Sequence, residues 1–300
     1  VATGSCFKNT LRCMAVSSDH QGEGLLNQVV THLMEHQQSV GNFDLFLYTK
    51  CDSAKFFHDL GFYEIARVDG RVVFMENRRT GFAGYLEDLA ATKKDGSRIA
   101  AIVMNANPFT IGHQLLVEKA SRECDAVHLF VVSEDVSLVP FSVRYRLVRE
   151  GTAHLDNVVY HQSGSYIISN ATFPSYFLKD SDLVITSHAR LDAHVFARIA
   201  EALGVNVRYF GDEPFSHVTA IYNSVMQEEL PKAGVECVIV PRFKADDDII
   251  SASMVRQAIR EGRLQELQGH LPDCTYNYLT SPEAEPVIAA IRGADNVIHY

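Results

Sequence analysis

Apolar and polar residues form two separate alternating patterns along the chain. In the first pattern, helices are predicted near Gly22–Glu35 and Ser53–Leu60, between strands predicted at Val1–Cys6, Leu11–Val16, Phe43–Tyr48, Phe62–Val68 and Arg71–Glu76. In the second, helical segments separate six predicted strands: Ile99–Met104, Ala126–Val132, Val158–Tyr160, Leu183–Thr186, Val207–Phe210 and Glu236–Ile239. Apolar strands that alternate with helices predict a parallel sheet covered on both faces, with ligands bound at the carboxyl ends of its strands.

A polar stretch, Asn77–Arg98, separates the two patterns and indicates a domain boundary. Three hundred residues are also more than one hydrophobic core usually uses. We therefore predict an α/β domain at residues 1–79, a linker at 80–97 and a second α/β domain at 98–300. Within the linker, Phe82–Ala91 has the spacing of a short amphipathic helix.

Composition and charge narrow the classes of function. The formal net charge is −10, so a protein that grips a nucleic-acid backbone would repel its own ligand. No apolar run approaches the roughly 20 residues that a membrane helix needs. The six cysteines have no paired spacing, which argues against zinc and a disulfide framework and favours a reducing cytoplasm. We expect a cytoplasmic protein, without a nucleic-acid or membrane partner, that binds a small anion or another protein.

The strongest chemical signal is the segment Asn105–His113, NANPFTIGH, which follows the first strand of the second pattern. A strand, a turn with proline, a glycine and a histidine in the first helical turn are typical of a phosphate site. Gly112 permits close approach of the backbone, the helix N-terminus offers N–H groups, and His113 adds a side-chain donor. The alternative is an ordinary turn whose polar residues only cap the helix.

A second segment, Ile250–Arg256, has the sequence ISASMVR at another predicted helix start. The hydroxyls of Ser251 and Ser253 and the guanidinium of Arg256 can face the same anion. Alone, this segment would indicate a serine cap followed by a solvated arginine. Together with the first segment, it favours a phosphate site.

Five ordered motifs within residues 98–300 resemble the [citrate (pro-3S)-lyase] ligase family: IVMNANPFTIGH, YIISNATFPSYFLK, LDAHVF, ALGVNVRYFGDEPFSHVTAIYN and ISASMVRQAI. The first and last also resemble the T/HxGH and ISSSxxR signatures of the nucleotidyltransferase superfamily. The resemblance implies a Rossmann-like nucleotidyltransferase domain with a parallel sheet. It also implies a ligase that converts acetate and ATP, with Mg²⁺, into an acetyl-adenylate and pyrophosphate. The acetyl group then passes to the thiol of a CoA-like prosthetic group on the acyl-carrier subunit of citrate lyase, which releases AMP.

The resemblance also implies roles for single residues. His113 and Arg256 would be catalytic, and Thr110 stands where the superfamily has its first histidine. The implied ATP-binding residues are Asn107, Pro108, Phe109, Thr110, Gly112, His113, Gly211, Asp212, Glu213, Ile250, Ser251, Ser253 and Arg256. Arg144 and Lys179 are candidates for contacts with acetate or phosphate, the alternative being packing or surface cations. We predict no metal site formed by protein side chains.

The first domain resembles the GNAT acetyltransferases in AVSSDHQGEGLLNQVV, their pyrophosphate turn, and in KFFHDLGF, a later helix-to-strand junction. Gly22 and Gly24 are then candidates for holding a CoA-like arm. Asp19 departs from the pattern, since GNAT proteins usually have Gln or Arg at this position. The sequence also begins inside the GNAT sheet. We therefore expect a partial GNAT-like α/β domain that binds the CoA-like arm or the partner protein without catalysing acetyl transfer.

Two other functions are compatible with the same residues. One is a nucleotidyltransferase that joins ATP to a phosphorylated cofactor precursor, and the other is a non-catalytic module that senses acetyl-CoA through the first domain. Release of pyrophosphate in response to acetate, in response to a phosphate ester, or in neither case distinguishes the three.

Overall fold

The computed structural model describes residues 1–133, 137–167, 181–212, 217–241, 244–245, 248–249 and 251–294. The chain divides into two compact units, one formed by Val1–Ala91 with Ile168–Ile199 and the other by Thr92–Ile167 with Ala200–Tyr300. Each unit has its own five-stranded sheet. The units are called the first and the second unit below.

The first unit is built on a mixed sheet. Its elements are β1 (Ala2–Phe7), β2 (Thr10–Val16), α1 (Leu25–Ser39), β3 (Phe46–Thr49), α2 (Ala54–Asp59), β4 (Tyr63–Val68), β5 (Val72–Glu76) and α3 (Gly81–Ala90). The strand order is β1-β2-β3-β5-β4, with β2 and β3 parallel and the other neighbours antiparallel. A core that includes Leu11, Val30, Leu47 and Phe62 packs between this sheet and its helices.

The second unit is built on a parallel sheet. Its strands and first helices are β6 (Ile99–Met104), α4 (Ile111–Glu123), β7 (Ala126–Val131), α5 (Phe141–Gly151) and β8 (Val158–Gln162). After α6 (Ser181–Leu203), which lies mostly in the first unit, come β9 (Val207–Gly211), α7 (His217–Glu229) and β10 (Glu236–Val240). The last elements are β11 (Lys244–Ala245), β12 (Asp248–Ile249), α8 (Ala252–Arg260), α9 (Asp273–Leu279) and α10 (Glu285–Gly293). The large sheet has the order β10-β9-β6-β7-β8 with every pair parallel, which confirms the predicted α/β class.

One predicted strand is wrong. Leu183–Thr186 lie inside α6 and are helical. Four apolar or β-branched residues in a row do not distinguish a strand from a buried helix turn. The residues that follow decide the outcome, because Leu191, Val195 and Ile199 are all buried and recur every four positions, as on one face of a helix. The other predicted elements form within a few residues of their expected bounds, and the helix expected after Asn77 is α3.

None of the described helices combines the length and the apolar character that crossing a membrane requires. None of the six cysteines forms a disulfide bond.

A buried histidine pair lies on the neighbouring strands β7 and β8, of which β8 is at the edge of the large sheet. Nδ1 of His128 lies 2.8 Å from Nε2 of His161, and the ring of Phe130 stacks on His161. Burial, which removes water from the rings, lowers the pKa of each histidine to about 4. Smaller contributions come from Lys94 for His128 and from His128 for His161. Both rings are therefore neutral in the folded protein at neutral pH.

This pair predicts a loss of stability in mild acid. Because the folded pKa lies below the unfolded value of about 6.5, unfolding takes up protons, and stability falls as the pH drops from about 6.5 towards 4. A shift of this size corresponds to about 3 kcal/mol per histidine at most. Urea denaturation between pH 7 and 4.5 measures the effect. His161→Gln should flatten the dependence, whereas exposed His32→Gln should leave it unchanged; equal slopes in wild type and His161→Gln would contradict the assignment.

Candidate functional site

The loop after β6 leads into a capped helix at the carboxyl end of the parallel sheet. Thr110 is the N-cap of α4 and forms a capping box with His113. The backbone N–H of Thr110 donates to Nδ1 of His113 at 3.1 Å, and Thr110 Oγ1 lies 2.8 Å from the same nitrogen. Since Nδ1 accepts, the neutral imidazole carries its proton on Nε2. The cap thus fixes the tautomer that makes Nε2 of His113 a donor.

The orientation of His113 depends on a buried aromatic ring. Phe109 is fully buried, and its ring stacks on His113 with 5.9 Å between the centroids. The last turn of α5 packs against Phe109, where a Cβ on Gly151 would overlap Cε1 of the ring. Gln114 on α4 also donates to the carbonyl of Gly151 at 2.9 Å. The close approach of α5 to Phe109 therefore requires a residue without a side chain.

We expect Gly151→Ala to destabilise the protein by about 1–3 kcal/mol, because the added methyl overpacks the space beside Phe109. Glycine-to-alanine changes inside helices usually stabilise by about 0.5–1 kcal/mol. Gly84→Ala in α3 is the matched control, since a Cβ there meets nothing within 4 Å. Urea denaturation measures both. Stabilisation of similar size in the two variants would show that Phe109 is free to move.

A second helix N-terminus, that of α8, meets the first segment. Ser251 is the N-cap of α8, and its side chain accepts from the N–H of Met254 at 3.1 Å. Arg256, one turn on, donates to Oγ of Ser253 at 3.1 Å and to the carbonyl of Asn107 at 2.5 Å. The two segments that the sequence singled out, 149 residues apart at this contact, are therefore in direct contact in the fold.

The charge of Arg256 has no anionic partner among the described residues. Its side chain is 8% exposed, its Nε has no hydrogen-bond partner, and no described carboxylate forms an ion pair with it. Burial, and then the nearby Arg260, lower the pKa of Arg256. A buried guanidinium without a counter-charge is costly unless an anion binds to it. Together with two helix N-termini, it makes this region suited to a polyanion.

Of the remaining predicted residues, some lie at the start of α4, some lie at the end of β9, and three lie outside the described part of the chain. Pro108 follows a cis peptide bond, Gly112 lies in the first turn of α4, and Gly211 ends β9, the neighbour of β6 in the sheet. The N–H of Asp212 donates to the carbonyl of Val240, which ties the end of β9 to that of β10. Three predicted residues lie outside the described part of the chain: Lys179, Glu213 and Ile250.

Gly22 and Gly24 belong to the first unit. Both have positive φ angles, 89° and 74°, and Gly24 is the N-cap of α1. These conformations are readily available only to glycine.

One residue beside the site, Gly151, has no signal in the sequence, because nothing in its neighbourhood along the chain indicates contact with Phe109. For Arg144 the sequence leaves open a ligand contact or a packing cation; in the structure this side chain is completely buried and directs its Nε and Nη1 to protein oxygens.

The chain is similar to known proteins over most of its length. The profile of the citrate lyase ligase C-terminal domain matches residues 99–279. A [citrate [pro-3S]-lyase] ligase from Klebsiella pneumoniae is 39% identical over 284 residues, covering 93% of this chain and 83% of that protein. One from Haemophilus influenzae is 37% identical over 285 residues, covering 93% of this chain and 85% of the relative.

Among solved structures, the pantothenate synthetase of Thermus thermophilus aligns with a TM-score of 0.39 and 18% identity. The alignment covers 66% of this chain and 82% of that one.

Proposed function

The chain belongs to the citrate lyase ligase family, and on that premise we propose that it acetylates the prosthetic group of citrate lyase at the expense of ATP. In the first step, acetate attacks the α-phosphorus of ATP, forming acetyl-adenylate and pyrophosphate. In the second, the thiol of a CoA-like group on the acyl-carrier subunit attacks the acetyl carbon and displaces AMP. The acetyl group ends as a thioester, and the thiol proton is lost to solvent or AMP.

The observation that supports ATP as the substrate is the position of Arg256. This guanidinium is buried, has no described carboxylate partner, and joins the loop of Asn107 to the N-terminus of α8. The β,γ-phosphates carry most of the negative charge of ATP, whereas acetate carries a single charge. We propose that Ser251, Ser253 and Arg256 hold these phosphates and the departing pyrophosphate.

The first step needs positioning and charge stabilisation more than a protein nucleophile, since acetate itself attacks. We propose that Nε2–H of His113 donates to the phosphates where negative charge develops. Asn107, Phe109 and Gly112 would shape the phosphate loop, and Gly211 and Asp212 would lie near the nucleotide. ATP would enter as its magnesium complex. In that complex the phosphates would hold much of the ion, as is usual for magnesium nucleotides.

We propose that the two domains have different roles. Residues 98–300, after the 80–97 linker, would carry the adenylation chemistry, because both phosphate-binding segments lie there. Residues 1–79 would form the partial GNAT-like domain, with the turn at Gly22 and Gly24 holding the CoA-like arm of the carrier subunit. Lys179 is retained as a candidate for the acetate carboxylate.

A pyrophosphate-release assay with ATP, Mg²⁺ and a panel of carboxylates and phosphate esters tests the proposal. We expect release with acetate and little with phosphate esters, and we expect AMP only when the carrier thiol is also present. Release with a phosphate ester alone would favour the transfer of a nucleotide to a phosphorylated cofactor precursor. No turnover of ATP with any acceptor, combined with binding of acetyl-CoA, would favour a sensing module.

A further inference from the structure

Arg144 is a fully buried cation on α5 that connects three segments of the second unit. Its Nε donates to the carbonyl of Val139 at 2.9 Å. Three oxygen atoms lie within 2.9 Å of its Nη1, namely the carbonyls of Asn105 and Val132 and the side-chain Oδ1 of Asn105. One guanidinium thus joins the end of β6, the end of β7 and the turn before α5.

The two carbonyls that Arg144 holds are of a particular kind. Asn105 and Val132 are the first residues after β6 and β7, where the hydrogen-bond ladder of the sheet runs out. Carbonyl oxygens at the carboxyl edge of a parallel sheet carry partial negative charge and need donors. Without hydrogen-bond donors, these carbonyl oxygens would repel a phosphate bound at this edge. Arg144 supplies donors to both from Nη1 while its Nε holds the carbonyl of Val139, and the single nitrogen of a lysine cannot occupy both positions at once.

Arg144 is also linked to the phosphate loop through Val139. While the carbonyl of Val139 accepts from Arg144, its N–H donates to Oδ1 of Asn107 at 3.0 Å. The carbonyl of Asn107 in turn accepts from Arg256. A continuous set of hydrogen bonds therefore runs from Arg144 to Arg256, the residue proposed to bind the leaving group.

We propose that Arg144 is a positioning residue for the nucleotide site: it fixes the loop of residues 105–110 and neutralises the strand-end carbonyls without touching acetate or phosphate. The inference rests on the proposed function, since it takes this loop to be the ATP phosphate loop. We prefer this role to a direct ligand contact, because the Arg144 side chain has no exposed surface and donates to protein oxygens.

The test compares Arg144→Lys with Arg149→Lys in the full chain. Arg149 is the matched control, since it lies on the same helix but is exposed and stacks over Tyr145 and Tyr160. In Arg144→Lys we expect amide hydrogen exchange in residues 105–113, measured without nucleotide, to speed up about tenfold or more. We also expect kcat/KM for ATP to fall about 10- to 100-fold from misplacement of the loop, with the acetate KM changed less than about twofold. The control should match wild type in every measurement.

Three results would overturn the proposal. One is unchanged exchange in residues 105–113 of a folded Arg144→Lys protein. Another is an acetate KM that rises about tenfold while the KM for ATP stays normal, which would make Arg144 an acetate contact. If Arg144→Lys does not fold, Asn105→Ala replaces it, since it removes one acceptor at an exposed position; unchanged exchange of the same peptide would then be the third.

The exchange measurement also separates this proposal from the proposed function. It uses no ATP, so it reports on the loop whether or not the wild-type protein releases pyrophosphate. A wild-type protein that shows no acetate-dependent release would refute the function, while the exchange result would still decide whether Arg144 holds the loop.

Discussion

Replacing His113 with alanine is expected to slow acetate-dependent pyrophosphate release by about a hundredfold or more, the usual loss when one donor to a developing charge is removed. The structure shows which nitrogen of His113 can donate and what orients it. Because Nδ1 accepts from Thr110, the donor is Nε2–H of a neutral imidazole, and its direction is fixed by the cap and by the stacked ring of Phe109. Such a donor is already oriented before ATP binds, so little reorganisation is needed in the transition state.

The alanine variant also removes half of a capping box, which costs about 1 kcal/mol of stability. A fall in activity therefore needs a control that keeps the cap. His113→Gln is that control, since glutamine at the third helical position accepts from the N-cap N–H in the same way. We expect His113→Gln to regain most of the stability and only a small part of the rate. Near wild-type turnover in His113→Ala at a temperature where it is fully folded would remove His113 from the mechanism.

Elements with a strong local pattern could be predicted from the sequence. Ile99–Met104 is a strand with the predicted bounds, because six apolar residues between polar segments suit a strand buried on both faces. The turn into α4 is also predictable from local signals, since the cap, the glycine and the histidine all lie within one turn of the helix start. In Leu183–Thr186 the local signal was ambiguous, and the helix formed because its continuation buries one face.

Contacts between distant parts of the chain could not be predicted. The bond from Arg256 to the carbonyl of Asn107, the approach of Gly151 to Phe109 and the network of Arg144 all depend on how helices pack on the sheet. None of them has a signature within a window of a few residues. For Arg256, the sequence predicts a guanidinium close to the hydroxyls of two serines, but only the fold shows that this guanidinium is buried.

Arg256→Ala is expected to lower kcat/KM for ATP by about 100- to 1000-fold, with a higher KM for ATP and a lower kcat. Both should change because the β,γ-phosphates exist in bound ATP and gain charge as pyrophosphate departs. Removing a buried, uncompensated cation should cost the protein little stability, since no described carboxylate loses its partner. Exposed Arg263, which pairs with Glu261 and Glu266, is the matched control, and Arg263→Ala should be neutral.

Arg256→Lys separates charge from geometry. The guanidinium uses Nη1 for Asn107 and Nη2 for Ser253, which leaves Nε unpaired among the described residues. A lysine ammonium keeps the charge but cannot hold two partners in a plane while donating to a third, so it should restore only part of the ATP affinity. The acetate KM should barely move in either variant, because acetate lacks the β,γ-phosphates that Arg256 is proposed to bind. Steady-state kinetics with ATP and acetate varied separately measure this. A variant whose acetate KM rises while its KM for ATP stays normal would place Arg256 on the carboxylate instead of the pyrophosphate.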